Sequence, residues 1–317
     1  MWGLRLAVFL GVFSAGASGH LAPIRVPRSN PRLEERQQRR GITRTTVNRV
    51  DLLRRLADRP AAQTLIQSAR AAKTVRSPAR LLAGQATRSG RTGAYRLRDG
   101  GLGVLLRHRT RDIVIFNEIF DRYKYEPPAD VPLDQPLSIV ELGGNVGLFG
   151  SWALRRWNVR RLVSFEADPA NYRLLQAVAA PHRQWQTVAA AASNRAGSMP
   201  FVTGRYSESR AACDDEAGVD VPAVDLFAEP LGSVNLMKID IEGSEWPILQ
   251  DPRLAALDAR VIVIEWHERH CPSPPGEHLA VRLLRDAGFS RVITRSGRFP
   301  SNGIIWAWRQ TAAPLAS

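Results

Sequence analysis

The chain has 317 residues, 44% of them hydrophobic, which suffices for one α/β core of about 200 to 250 residues with an appendage. Its formal charge of +14 is uneven: residues 1–100 hold 20 Lys and Arg against 5 Asp and Glu, whereas the remaining 217 hold 24 against 25, so the basicity belongs to an amino-terminal arm and not to the rest of the chain. The two cysteines, Cys213 and Cys271, have no paired or CxxC spacing, indicate neither a zinc site nor a disulfide framework, and fit a reduced, cytoplasmic setting.

Met1 to Gly19 carries a charge at Arg5, an apolar stretch from Leu6 to Phe13 and small residues after it, and reads either as an export signal or as an extended amino terminus. It is too short to span a bilayer as a helix. Residues 20–44, rich in Arg, Pro, Gln and Asn, read as a linker, and Val50, Leu53, Leu56 and Ala57 recur at helical spacing until Pro60 interrupts them. The arm, residues 1–90, suits peripheral contact with a membrane or RNA, but reads first as a solvated, partly disordered face. A lead-in of residues 91–136 follows, with a hairpin over Tyr95–Leu106 turning at Asp99-Gly-Gly101, the string Arg109-Thr-Arg-Asp112, and a helix over Ile113–Phe120.

Beyond Pro136 strands and helices alternate. Strands are expected at 137–142, 162–165, 186–191, 234–239, 261–265, 289–294 and 304–308, and helices at 148–157, 171–180, 244–250 and 278–287. Residues 193–222 lack a period and read as an excursion, after which Val221–Leu226 returns to the sheet edge. The pattern predicts a doubly wound, mostly parallel α/β sheet of seven strands over residues 137–310, with a short tail at 311–317. Right-handed crossovers then place the loops after strands one, two, four and five on one rim.

Two strings supply the chemistry of that rim. Glu141-Leu-Gly-Gly-Asn-Val-Gly147 puts glycines where a strand turns tightly against a ligand and starts a helix. Asn145 stands where a dinucleotide fingerprint needs Gly, which argues against a nicotinamide cofactor. Glu166 lies 23 residues beyond Gly143 at the end of the second strand, where a carboxylate can accept both hydroxyls of a ribose. Asp168-Pro169 reads as a helix cap with a proline in the first turn. In the second string, Lys238-Ile-Asp-Ile-Glu-Gly-Ser-Glu245, period-two geometry puts Lys238 and Asp240 on one face.

These strings, with Phe165-Glu-Ala-Asp-Pro169 and Ile264-Glu-Trp-His267, resemble the FkbM family of S-adenosylmethionine-dependent methyltransferases over about Arg107 to Trp308. The resemblance implies the class I fold with an antiparallel last strand, S-adenosyl-L-methionine as cofactor, and a hydroxyl on a small-molecule, sugar or lipid-linked acceptor as substrate. It implies Glu141, Gly143, Gly144, Asn145, Gly147 and Glu166 as cofactor-binding residues. Glu141 replaces the Asp of many relatives, and Ser193-Asn194 stands where an acidic residue often sits near the adenine. A cytosolic methyl donor favours the extended-terminus reading of residues 1–19.

Methyl transfer to a hydroxyl requires in-line alignment, exclusion of water and removal of a proton. Asp240, His267, Glu242 and Glu265 sit at the exits of strands four and five, and Asp240 or His267 is the expected base. No metal is assigned, the rival use of the same four residues being a divalent ion that polarises the acceptor oxygen. RNA methylation recruited by the arm is disfavoured, since no basic stripe is interleaved with aromatics and no Asn-Pro-Pro-aromatic element follows strand four. A noncatalytic nucleotide-binding or membrane-associated scaffold is the third reading.

Overall fold

The structure is a computed structural model that describes residues 60–87, 90–99, 103–204, 209–212, 216–297 and 301–310. The signal-like start, the linker and the helix expected over residues 50–57 lie outside them. Pro60 opens a helix: α1 spans Pro60–Thr74 and α2 Pro78–Thr87. Proline is tolerated in a first turn because the N–H it lacks has no intrahelical partner there. β1 (Thr92–Arg96) and β2 (Gly103–Arg107) pair antiparallel as the expected hairpin, and α3 (Asp112–Phe120) follows. Ala71, Val75, Leu81, Leu97 and Phe116 lie in the same apolar cluster as Leu137 and Ile139 of the first central strand. The segment from Pro60 onward is thus built into the core.

The strand and helix alternation then unfolds as β3 (Leu137–Leu142), α4 (Leu148–Arg156), β4 (Val159–Phe165), α5 (Pro169–Ala179) and β5 (Trp185–Val188). After an intervening segment come β10 (Val234–Ile239), α6 (Glu245–Leu249), β11 (Ala259–His267), α7 (Gly276–Asp286), β12 (Arg291–Ser296) and β13 (Asn302–Trp308). The seven strands lie in the order β12-β13-β11-β10-β3-β4-β5. β11, β10, β3, β4 and β5 are mutually parallel, and β13 runs antiparallel to both neighbours. Strands β3 and β10 are buried along nearly their whole length, as expected where helices cover both faces. Ile139 packs on one side of the sheet, and Val140 and Leu142 on the other, so the two-residue period feeds two cores at once.

The chain lays β4 and β5 on one side of β3, then returns to place β10 and β11 on the other. This reversal opens a crevice at the carboxyl ends of β3 and β10, where ligands of open α/β sheets bind. The aperiodic segment differs from expectation in one respect. β6 (Ala191–Ser193), β7 (Gly197–Val202), β8 (Arg210–Ala211) and β9 (Val219–Asp225) form a separate four-stranded sheet, ordered β6-β9-β7-β8. Val221–Leu226 therefore does not rejoin the main sheet. Only Val221 and Ala223 of β9 are well buried, pointing with Phe201 into a small apolar cluster of their own. A strand with one buried face pairs within a small separate sheet as readily as at the edge of the main one, and strand propensity alone does not choose its partner.

Candidate active site

The turn after β3 is fixed by its backbone. Gly143 has φ of +83° and Gly147, which caps α4, has φ of +82°. A β-carbon on Gly143 would lie 1.9 Å from the Asp240 carbonyl oxygen, and one on Gly144 would lie 2.8 Å from Leu175 Cδ2. The turn is thereby pressed against β10 on one side and α5 on the other. Between the glycines Asn145 takes the left-handed conformation, φ +49°, and its N–H donates to Glu166 Oε2 at 2.7 Å. The carboxylate after β4 thus closes directly onto the glycine turn. Glu166 also accepts the Asp168 N–H at 2.8 Å, and burial raises its pKa to about 7 against these hydrogen bonds. Asp168 has the structural role expected of it, capping α5 through Ala170 and Asn171 and accepting from Gly204 and Ser209, which lie between β7 and β8.

Glu141 is fully buried beneath this turn. Ser164 Oγ donates to one of its oxygens at 2.6 Å, while the other has no hydrogen-bond partner. Burial raises its pKa to about 7, opposed by the charge of Lys238. Lys238 itself is only 3% exposed and donates to the Gly143 carbonyl at 2.7 Å, 3.8 Å from Glu141 and 3.6 Å from Asp240. A single buried cation therefore ties the glycine turn to the end of β10.

The second half of the crevice is denser in charge. Tyr125 donates its hydroxyl to Asp240 Oδ2 at 2.8 Å, and Lys124 binds Glu265 at 2.5 Å. Burial by itself would raise the Asp240 pKa, but Lys238, Lys124 and His267 hold the carboxyl well below its usual range. Glu265 moves upward through burial. Lys124 and Tyr125 come from the loop that connects α3 to β3, and no periodicity marks them in the sequence. Glu245 opens α6, as a carboxylate at a helix start should, and one of its oxygens accepts the N–H groups of Ile241 and Gly243, each at 3.2 Å. The same oxygen lies 2.9 Å from His267 Nδ1. Since that oxygen is an acceptor throughout, Nδ1 is the donor and Nε2 is turned toward Glu242 Oε2, 3.6 Å away.

Glu242 is not part of the helix. It holds a left-handed φ of +53° before Gly243 at +102°, and its side chain is 32% exposed, more than that of Asp240 or His267. Burial, reinforced by Asp240 and Glu265, brings Glu242 to about 7 in spite of His267. Burial would lower His267, but the hydrogen bond and charge of Glu245 together with the charge of Glu242 raise it to about 10. One ligand-capable atom from each of Asp240, Glu242 and His267 lies within 4.8 Å of the others. The expected residues thus fall into two groups, Glu141, Gly143, Gly144, Asn145, Gly147 and Glu166 at the β3–β4 rim, and Asp240, Glu242, Glu265 and His267 at the β10–β11 rim, joined by Lys238. Beside the second group a groove of about 230 Å³ is lined by Ser193, Met199, Gly243, Trp246 and His270 among others.

The chemistry of this arrangement fits an adenosyl donor. Glu166 presents an acceptor at the glycine turn, a Glu141 oxygen that faces Lys238 without a hydrogen bond lies beneath it, and the bare backbone of Gly143 and Gly144 leaves no room for side chains. Among solved structures, Aeropyrum pernix fibrillarin with natively bound S-adenosyl-L-methionine is 13% identical, with 69% of this chain and 95% of that one covered at a TM-score of 0.37. A Methanococcus jannaschii fibrillarin pre-rRNA processing protein is 14% identical, with coverage of 57% and 70% and a TM-score of 0.40. The N-terminal domain of EvdMO1 with SAH bound is 12% identical, with coverage of 64% and 86% and a TM-score of 0.37. No match to a curated protein was found. Residues 141–291, which contain both rims and the turn between them, match the Methyltransferase FkbM domain, so this span is a methyltransferase domain with S-adenosylmethionine as its donor.

Proposed function

We propose that the enzyme methylates a hydroxyl group on a small-molecule, sugar or lipid-linked acceptor, and that the Glu242–His267 pair receives the hydroxyl proton. The carrying observation is the hydrogen bond from His267 Nδ1 to the buried Glu245, which holds the imidazole with Nε2 toward Glu242 at the crevice. A hydroxyl must give up its proton during transfer, and an oriented imidazole backed by a carboxylate is built to take it. Because the two groups sit 3.6 Å apart and shift one another, they titrate as a pair. Asp240, held ionised by Lys238 and hydrogen-bonded by Tyr125, is too weak a base for the task and orients the acceptor instead. Glu265, paired with Lys124, anchors the loop that carries Tyr125.

S-adenosylmethionine supplies an activated methyl group on its sulfonium sulfur. In this reading Glu166 accepts the ribose hydroxyls, Gly143, Gly144, Asn145 and Gly147 form the bed for the adenosyl moiety, and Glu141 braces the turn from below. The adenine edge falls to the groove beside Ser193 and Gly243, whose Met199 packs on the same small apolar cluster as Ala167, the residue after Glu166. The purified protein, given donor labelled in the methyl group and fractionated host extract, should label a glycolipid or small-molecule fraction in an alkali-stable ether. His267→Gln should abolish that label. Label confined to RNA would overturn the acceptor assignment, and label retained by His267→Gln would overturn the assignment of the base.

A further inference from the structure

The string Arg109-Thr-Arg-Asp112 and its surroundings have no part in the chemistry above, yet they end in a buried polar chain that leads to the donor site. Arg107, the last residue of β2, is 6% exposed and Asp112, the first residue of α3, is fully buried. The guanidinium grips Asp112 with two parallel bonds, Nε to Oδ2 and Nη2 to Oδ1, both 2.8 Å. Thr110 holds the intervening turn, its hydroxyl donating to the Arg107 carbonyl and accepting the Asp112 N–H. The remaining guanidinium nitrogen, Nη1, donates to Asn171 Oδ1 at 2.7 Å. Asn171 lies in the first turn of α5, is 2% exposed, and faces Glu166 Oε1 with its Nδ2 at 3.5 Å.

An amide has one acceptor end and one donor end. Because Arg107 carries only donors, it fixes which end of Asn171 turns toward it and therefore which end faces the carboxylate. The reverse orientation would set a carbonyl oxygen against Glu166 and an NH2 group against a guanidinium. We infer that Arg107 and Asn171 are positioning residues for the ribose clamp: the hairpin and α3, through Asp112, Arg107 and Asn171, hold the Glu166 carboxylate in the orientation that receives the donor's ribose. This rests on the reading of Glu166 given above. It assigns to the lead-in, which contributes no atom to the crevice by this route, a part in donor affinity. A bidentate arginine suits the task, since its planar fork is fixed in direction by Asp112 while its third nitrogen points elsewhere.

The test compares S-adenosylhomocysteine with its 2′-deoxyribose analogue by calorimetry. Asn171→Asp keeps the size of the side chain and an acceptor for Arg107 but replaces the donor facing Glu166 by an oxygen. It should weaken S-adenosylhomocysteine about tenfold while leaving the deoxy analogue nearly unaffected, so that the preference for ribose shrinks. Turnover at saturating donor should remain. Asn171→Leu, which removes both hydrogen bonds, should show the same selective loss, and circular dichroism confirms that each variant is folded. An equal loss for both ligands, or wild-type affinity in both variants, would make Asn171 a merely structural residue and overturn the inference. A wild-type protein indifferent to the ribose hydroxyl would instead remove the reading of Glu166, and this inference with it.

Discussion

The two rims of the crevice are held by opposite means. At β3–β4 the backbone does the work: glycines at positive φ, amide N–H groups aimed at Glu166, and carboxylates raised to about 7 chiefly by burial. At β10–β11 the side chains do it: Lys238 and Lys124 hold Asp240 down, and the carboxylates around His267 hold the imidazole up. A backbone site tolerates little change in shape but depends on few charges, whereas a charge network keeps its shape under substitution and loses its protonation states. On the roles proposed above, binding and proton transfer are for this reason separable by mutation, except where an atom of one rim lies against the other.

The largest effect is expected at His267. His267→Gln keeps a hydrogen bond to Glu245 but cannot carry the proton, and kcat should fall by about 10² to 10⁴. The dissociation constant for S-adenosylhomocysteine, measured by calorimetry, should not move. A donor affinity that collapses together with kcat would mean that the two rims are one site. Gly143→Ala should do the reverse. The new β-carbon meets the Asp240 carbonyl oxygen at 1.9 Å in a conformation that costs a side chain about 1 to 3 kcal/mol, so donor affinity should drop by roughly 10 to 100-fold. Because the obstructing atom belongs to Asp240, some kcat should go as well, and that fraction measures how rigidly Lys238 couples the rims. Full kcat at saturating donor would show that the turn yields without disturbing β10.

Protonation sharpens the contrast further. Glu166 accepts best when ionised, and its raised pKa of about 7 means that donor affinity is complete above that pH and declines below it, not near 4.5 as for a solvated carboxyl. As the proposed base, the Glu242–His267 pair acts only after releasing a proton, so kcat at saturating donor should climb between pH 7 and 10, the range set by the two groups. Glu242→Gln takes a negative charge from beside the imidazole, which lowers the His267 pKa and shifts the alkaline rise toward lower pH. A flat kcat profile from pH 7 to 10 in the wild type would dismiss the pair as the base.

How far each rim was legible in the sequence follows from the same difference. The β3–β4 rim is local: Glu141 to Gly147 is one turn, Glu166 ends the adjacent strand, and the strand register brings them together, as Glu141 pairs with Ser164 and Leu142 with Phe165. Glycine positions and strand periods carry that information. At the other rim the strings at 238–245 and 264–267 locate the carboxylates and the histidine, but not their states. The state of Asp240 is set by Lys238 two residues before it and also by Lys124 and Tyr125, which lie 115 residues or more upstream in a loop without a period. Long-range ion pairs leave no spacing to read. The four-stranded sheet was hidden for a related reason, since β6 and β9 pair across some thirty residues of aperiodic chain and nothing local separates that pairing from a return to the main sheet.

The smallest effect expected is that of a chelator, and it decides between two uses of one geometry. Asp240, Glu242 and His267 could surround a divalent ion, for their ligand atoms lie within 4.8 Å of one another. Yet Asp240 is already paired with Lys238 and hydrogen-bonded by Tyr125, so a cation entering there would meet a buried lysine 3.6 Å from the carboxylate it needs. The imidazole oriented by Glu245 answers the same negative charge with a proton instead. Dialysis against EDTA should therefore leave the rate of methyl transfer unchanged. A loss of activity that manganese restores, with no change in donor affinity, would convert His267 from a base into a ligand and would move the β10–β11 rim from proton transfer to metal-assisted binding of the acceptor oxygen.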